Sequence, residues 1–143
     1  MTTQAISRFP VPDLAALPAD LQKLFHDVSE KAGFVPNVFW VLAHRPDELR
    51  AFWAYHEALM RRDSGLSTGE REMIVVATSA ENNCLYCVVA HGAILRIYEK
   101  SATIADAIAT NYKKADITDR QKAMLDFAIK ICNRSQDMRE DDF

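Results

Sequence analysis

The stretch from Ser67 to about Ala80 constrains the fold of this chain more strongly than any other part of the sequence. It begins with a serine that is followed three residues later by Glu70, which is the spacing of a helix capping box. The run Met73–Ala77 is apolar without interruption. Because a helix that is apolar on all sides is normally buried in a core, we predict a central, buried helix here.

Helical patterns extend over most of the remaining chain. Apolar residues recur at intervals of three and four, with capping residues and prolines at the starts. The other helices are expected to begin near Pro18, Asn37, Pro46, Asn83, Thr103 and Thr118. Residues 1–16 carry two prolines and little periodicity, so they are predicted to form an extended lead-in. No segment alternates apolar and polar residues as a half-buried strand does, and the predicted fold class is therefore all-α.

Several helix boundaries follow from single residues. Thr118–Gln121 repeats the capping-box spacing. Asn37 and Asn83 are expected to be N-caps, since asparagine is favoured at that position, and the helix after Asn83 should run to about residue 100. Gly33 and Gly65 are expected to end the first and third helices, because glycine commonly stops a helix.

Composition excludes several classes of protein. The chain has 143 residues, which fits one domain over residues 1–143. Its net charge of −3 and the absence of a basic run argue against a nucleic-acid partner. No apolar stretch is long enough to span a membrane, and the N-terminus lacks a signal-peptide pattern, so we expect a cytoplasmic protein. Residues 137–143 stop where another helix could begin, which suggests that the C-terminus is truncated.

The residues most able to carry chemistry are Cys84, Cys87 and His91, in the pattern Cys-x-x-Cys-x-x-x-His. On a helix the two cysteines lie within about 60° of each other, and the histidine follows one turn further on. A helix N-terminus or a nearby imidazole favours the thiolate form of a cysteine, which is the nucleophile. Glu72 lies on the preceding helix.

Several interpretations of this pattern compete. A zinc site needs a fourth ligand, which only Cys132 or Glu72 could supply. Covalent haem needs a histidine directly after the second cysteine, and Val88 stands there. The residues could instead be small core side chains. We favour a catalytic dithiol, and we expect Cys132 to be buried and inert.

The sequence resembles the alkylhydroperoxidase D-like, or carboxymuconolactone decarboxylase, family, and in particular its peroxidase-related subgroup. The most specific part of the resemblance lies in residues 66–72 and 79–91. Residues 33–37, 45–49 and 120–128 also resemble that subgroup. The resemblance covers roughly residues 30–130 and implies an all-helical bundle that forms homo-oligomers, from dimer to hexamer.

The resemblance also implies an activity, the reduction of peroxides by the two cysteines without a cofactor or metal. The family's relay glutamate, twelve residues before the first cysteine, corresponds to Glu72. Its relay histidine, four residues after the second cysteine, corresponds to His91. Alkylhydroperoxidase D itself has a histidine just before the second cysteine, where this chain has Tyr86.

We therefore expect a dithiol-dependent hydroperoxide reductase that serves antioxidant defence. Cys87 is expected to be the peroxidatic thiolate, with His91 as its base and Glu72 paired to that histidine, while Cys84 resolves the intermediate. Cys84 is the alternative nucleophile because it lies nearer the helix N-terminus. The partners would be a peroxide and an external dithiol or disulfide reductase. The alternative functions are a non-redox decarboxylase or lyase and an oligomeric redox sensor without turnover.

Overall fold

The structure, a computed structural model, describes residues 9–143. Over these residues it consists of helices and connecting turns, with no strand, which confirms the all-α prediction. The helices are α1 (Ala19–Ala32), α2 (Asn37–Leu42), α3 (Pro46–Arg61), α4 (Thr68–Glu81), α5 (Leu85–Glu99), α6 (Ile104–Asn111) and α7 (Asp119–Arg134). Short 3-10 helices lie at Leu14–Ala16, Tyr112–Lys114, Ser135–Asp137 and Glu140–Asp142.

The chain divides into two compact units, one up to Arg62 and one from Asp63 onward. The prediction of one domain over residues 1–143 remains a prediction. Within residues 9–143, no helix combines the length and the apolar character that crossing a bilayer would require.

The first unit contains α1, α2 and α3. Phe25 of α1 is almost fully buried and makes edge-on ring contacts with Phe39 and Trp40 of α2, at centroid distances of 5.9 and 4.7 Å. Gly33 ends α1 with a backbone φ of 77°, a left-handed conformation that glycine adopts without steric cost. The predicted end of the first helix is therefore confirmed.

The second unit is built around α4, which packs against α5, α6 and α7. The central position predicted for this helix is confirmed. Its core consists of side chains from all four helices and from the turn between α6 and α7. The large members Met73, Val76, Leu95, Ile108 and Leu125 are all nearly inaccessible to water. Burial of such apolar side chains supplies the main driving force for packing the four helices together.

Both predicted capping boxes are present. At the start of α4, the Ser67 hydroxyl accepts from the Glu70 N–H at 3.1 Å and the Glu70 carboxylate accepts from the Ser67 N–H at 2.9 Å. At the start of α7, Thr118 and Gln121 make the same reciprocal pair at 3.2 and 3.0 Å. Each box satisfies two main-chain N–H groups that a helix start would otherwise leave unpaired.

The predicted boundaries of α2 and α3 are wrong, and the predicted lead-in is only partly described. Asn37 is the first residue of α2, and the N-cap is Pro36. The third helix ends at Arg61, four residues before Gly65, because Arg62 already has an extended backbone. The extended lead-in lies partly in residues 1–8, outside the described residues, and its end contains the short 3-10 helix at Leu14–Ala16.

Candidate active site

The turn between α4 and α5 places the first cysteine. Asn83 has a left-handed backbone, with φ at 54°, and its N–H donates to the Ala80 carbonyl at 3.0 Å. The N–H of Cys84 donates to the Ser79 carbonyl at 2.9 Å. These two bonds form a Schellman motif, the arrangement that closes many helix C-termini. Cys84, rather than Asn83 as predicted, is the N-cap of α5.

The two cysteines lie at the N-terminal end of α5 and are joined as a disulfide, with their Cα atoms 5.4 Å apart. Cys84 is the N-cap and Cys87 is the third residue of the helix, so both sulfur atoms belong to its first turn. Both residues are partly exposed. The predicted proximity of the pair on one helix end is confirmed, and both cysteines lie where the helix dipole favours negative charge.

Glu72 and His91 form a side-chain pair between α4 and α5. The Glu72 Oε2 atom lies 2.7 Å from Nδ1 of His91, and Glu72 is only 5% exposed. The contact predicted from the sequence is therefore present. When Glu72 is ionised it can only accept a hydrogen bond, so Nδ1 carries the proton and a neutral imidazole keeps Nε2 as its free acceptor.

The packing of α4 on α5 explains why these two side chains meet. The first turns of α4 are buried, so Glu72 lies at the helix–helix contact rather than in solvent. Next to His91, buried Gly92 allows α6 to approach closely, because a Cβ atom there would lie 3.2 Å from the Cβ of Ala105. A buried carboxylate is costly unless it is paired, and the imidazole supplies the partner.

A second buried carboxylate, Glu70, has a different environment. Burial acts to raise its pKa, but bonds from the Ser67 N–H and from the Arg120 guanidinium outweigh this effect, so the pKa lies below its ordinary value. Arg120 also donates to the Gly65 carbonyl at 3.1 Å. Glu70 therefore ties the start of α4 to α7, and it is a structural group rather than part of the cysteine–histidine arrangement.

Comparison with known proteins places the chain in a family. The sequence model of the carboxymuconolactone decarboxylase family matches residues 46–129, which is more than half of the chain. The chain belongs to the carboxymuconolactone decarboxylase family. Among curated proteins, none matches it significantly.

Two solved structures show which members of the carboxymuconolactone decarboxylase family this chain resembles. One is described as the alkylhydroperoxidase AhpD core of a peroxidase-related protein from Ralstonia eutropha JMP134. It is 67% identical over 98% of this chain and 74% of that chain, with a TM-score of 0.91. A peroxidase-related protein from Silicibacter sp. TM1040 is 40% identical over 95% and 70% of the two chains, with a TM-score of 0.87. The alkylhydroperoxidase D-like fold and the peroxidase-related resemblance are thereby confirmed.

The third cysteine differs from its prediction. The sequence predicts a buried Cys132, but this residue is exposed, because the last turn of α7 lies at the surface throughout. Its Sγ atom accepts a hydrogen bond from Nδ2 of Asn82 at 3.1 Å. Helical spacing alone could not distinguish this end of α7 from the buried part around Leu125. Over residues 9–143, no three His, Cys, Asp or Glu side chains cluster in a way that could hold a metal ion.

Proposed function

We propose that this chain is a dithiol-dependent hydroperoxide reductase whose reacting groups are Cys87, Cys84, His91 and Glu72. The observation that carries the proposal is the contact of buried Glu72 with partly exposed His91, which lies one helical turn beyond a cysteine pair at the start of α5. The peroxidase-related names of the similar structures favour a peroxidase-like activity within the family.

In the proposed cycle, the Cys87 thiol first gives its proton to Nε2 of His91. The thiolate then attacks a peroxide oxygen, so that a sulfur–oxygen bond forms while the oxygen–oxygen bond breaks. The leaving alkoxide takes the proton from the imidazolium, which yields an alcohol and a Cys87 sulfenic acid. Ionised Glu72 stabilises the imidazolium while the proton is held there.

The second half of the cycle uses Cys84. Its thiol attacks the sulfenic sulfur of Cys87, a disulfide forms, and the sulfenic oxygen leaves as water. An external dithiol or a disulfide reductase returns two electrons and two protons by thiol–disulfide exchange. The disulfide present between Cys84 and Cys87 corresponds to the oxidised state of this cycle. The cycle requires no cofactor or metal.

The choice of Cys87 as the peroxidatic residue rests on its neighbours. The helix N-terminus no longer favours Cys84 alone, because both residues lie in the first turn of α5. His91 lies four residues after Cys87, and residues at this spacing are neighbours on a helix surface. A general base beside a nucleophile is the usual means of activating it.

We further propose that the protein acts in the cytoplasm in antioxidant defence and that it forms a homo-oligomer, from dimer to hexamer. Helix α5 supports the second point. It exposes apolar side chains along its whole length, namely Leu85, Tyr86, Val89, Ile94, Ile97 and Tyr98. A group of exposed apolar side chains on one helix is typical of an interaction site, and a second copy of the chain would cover them.

The function is tested by peroxide-dependent oxidation of an external dithiol, with an alkyl hydroperoxide as substrate. We expect steady turnover by the wild type and loss of nearly all of it in Cys87→Ser. Cys84→Ser should give one oxidation per chain and then stop with a sulfenic acid that a dimedone reagent traps on Cys87. The matched control is Cys132→Ser, which should turn over like the wild type.

The other outcomes would favour different functions. A wild type that is oxidised once by peroxide and turns over only negligibly with dithiol in excess would be a redox sensor. A protein whose cysteines do not react with peroxide would contradict the reductase. In that case, a non-redox decarboxylase or lyase would retain activity in the Cys84→Ser, Cys87→Ser double variant.

A further inference from the structure

One side of α5, which we call the α5 face, has a pattern that is symmetric along the helix. It consists of Tyr86, Ala90, Ala93 and Ile97, which are spaced by four, three and four residues and so lie within about 60° of one another. All four are exposed or partly exposed. Two small residues occupy the centre, and one large residue lies at each end. A second copy of the helix that runs in the opposite direction therefore presents the same order of sizes, as a two-fold contact requires.

The α5 face also lacks the charges that the solvent side of a helix normally carries. Residues 85–95 contain no Asp, Glu, Lys or Arg. The six large exposed apolar side chains of α5 are 38–76% exposed, so each offers on the order of 100 Å². Together they approach the about 800 Å² per partner that a stable interface buries. The spacing of three and four residues is that of packed helices, and the two alanines allow a close approach.

An antiparallel pair places the start of one α5 beside the end of the other. The pattern is centred midway between Ala90 and Ala93, so the partner's Tyr98 lies level with Leu85, between the two cysteines. Cys87 and Tyr98 are eleven residues apart, which is about three full turns, so they point within about 20° of each other. Both therefore lie on the same flank of the α5 face. The two-fold axis of an antiparallel pair keeps that flank on one side of both helices.

We propose that the α5 face packs against a second copy of itself in this antiparallel way and that the partner's Tyr98 completes the Cys84–Cys87 site. Helix axes in contact are about 8–10 Å apart, a distance that a tyrosine side chain can bridge. The tyrosine hydroxyl donates a hydrogen bond to the peroxide oxygen that leaves as Cys87 attacks. This donor role rests on the proposed function, whereas the position of the partner's Tyr98 does not.

The position is tested by cross-linking, without any turnover. Tyr98→Cys is made together with Cys132→Ser, fully reduced, and then treated with oxidised glutathione, which takes up two electrons for each disulfide that forms. Within one chain, positions 87 and 98 are about 16 Å apart along the helix, which is too far for a disulfide. A link between them therefore joins two copies of the chain.

The matched control for the cross-link is Tyr55→Cys in the same background, since Tyr55 is an exposed tyrosine on α3. We expect at least about tenfold more linked dimer from position 98 than from position 55, because a link forms only where two Cα atoms lie within about 7 Å. Peptide mapping by mass spectrometry should show that position 98 is joined to Cys84 or Cys87.

The donor role is tested by mixing two variants. Tyr98→Phe keeps the ring and removes the hydroxyl, so we expect peroxide turnover to fall about tenfold. Cys87→Ser should be nearly inactive. When the two chains are co-expressed in equal amounts, a mixed pair combines the intact cysteines of one chain with the intact Tyr98 of the other. Random pairing should restore about a quarter of the wild-type activity, about five times the activity of the two variants kept apart. Tyr55→Phe should turn over like the wild type.

The inference is overturned if position 98 cross-links no more than position 55. A cross-link without recovery of activity in the mixed chains would contradict the donor role of Tyr98, and so would a Tyr98→Phe variant that turns over like the wild type. A wild type that does not reduce peroxide, while position 98 links to the cysteines of a second copy, would end the proposed function and leave the shared site standing.

Discussion

Helices α4 and α5 pack against each other, yet their surfaces are used in opposite ways. Seven residues of α4 are buried, including the charged run Glu70–Glu72, whereas α5 buries only Gly92 and Leu95. The more apolar helix, α5, is thus the less buried, with Leu85 76% and Ile97 74% exposed. Apolar character alone does not decide burial within a single chain. Which surface of a helix is buried depends on which other helices of the chain pack against it.

A hydrogen-bonded pair of side chains connects the two helices. Glu72 is a buried carboxyl group on α4, and His91 is a partly exposed base on α5. The carboxylate is therefore shielded from solvent, while the imidazole that it contacts remains accessible to solvent.

The stability of the chain should be sensitive to loss of packing on the buried helix α4. Met73 on α4 is 1% exposed, and Met73→Ala removes its buried apolar atoms and leaves a cavity. We expect the free energy of unfolding to fall by about 2–5 kcal/mol, measured by urea denaturation. Val89→Ala on the exposed face of α5 is the control, with an expected change below about 0.5 kcal/mol in the dissociated chain. Equal losses in the two variants would remove the contrast between the helices.

A charge on the exposed side of α5 should weaken assembly only if a second copy of the chain covers that side. Ile97→Asp would place a carboxylate in that interface, and we expect the dissociation constant of the oligomer to rise about 100-fold. Light scattering over a range of concentrations measures the effect. Val41→Asp, at another exposed apolar position, is the control and should leave the mass unchanged. A wild type that is monomeric at micromolar concentration contradicts the assembly.

The contact between the helices should matter for catalysis. Glu72→Gln keeps the size of the side chain but removes its charge, so His91 becomes a weaker base for Cys87. We expect peroxide turnover to fall about tenfold or more, with the helical circular dichroism signal unchanged. Reduced Cys87 should also react more slowly with a thiol reagent near neutral pH.

The control for this prediction is Glu81→Gln, a carboxamide in place of an exposed carboxylate at the far end of α4. It should turn over like the wild type. If Glu72→Gln folds and matches the wild type in both turnover and Cys87 alkylation, Glu72 is structural and the relay is wrong.

The smallest expected effect concerns the charged start of α4. The pKa of Glu70 is lower in the folded chain than its ordinary value of 4.5, so the unfolded chain binds more protons between these two values. The ionised Glu70 carboxylate therefore contributes its full stabilisation at pH values above the ordinary pKa. This stabilisation is lost as the pH falls through the lowered pKa of the folded chain. Glu70→Gln preserves the capping box but removes the charge.

We expect the unfolding free energy of the wild type to exceed that of Glu70→Gln at pH 7. This difference should become smaller as the pH falls below about 4. Urea titrations at several pH values measure it. The start of α7 provides a natural reference, because its capping box already contains the neutral Gln121. A gap that stays constant with pH would show that the charge of Glu70 contributes nothing to stability.

Local chemistry predicted much of the fold. The helix starts at Ser67 and Thr118 were predictable because a capping box is made by residues three apart in sequence, and no distant partner is needed. The end of α1 followed from Gly33 for the same reason. The central place of α4 followed from its uninterrupted apolar run. The grouping of Cys84 and Cys87 at one helix end required only their spacing.

The tertiary structure decided what depends on neighbours distant in sequence. It made Cys84 an N-cap, because the Schellman motif at Asn83 uses carbonyl groups of the preceding helix. It left Cys132 exposed, because no helix of the described chain covers the last turn of α7. It also left one side of α5 open. Spacing along a helix shows which residues share a face, but only the packing of other helices determines whether that face is covered.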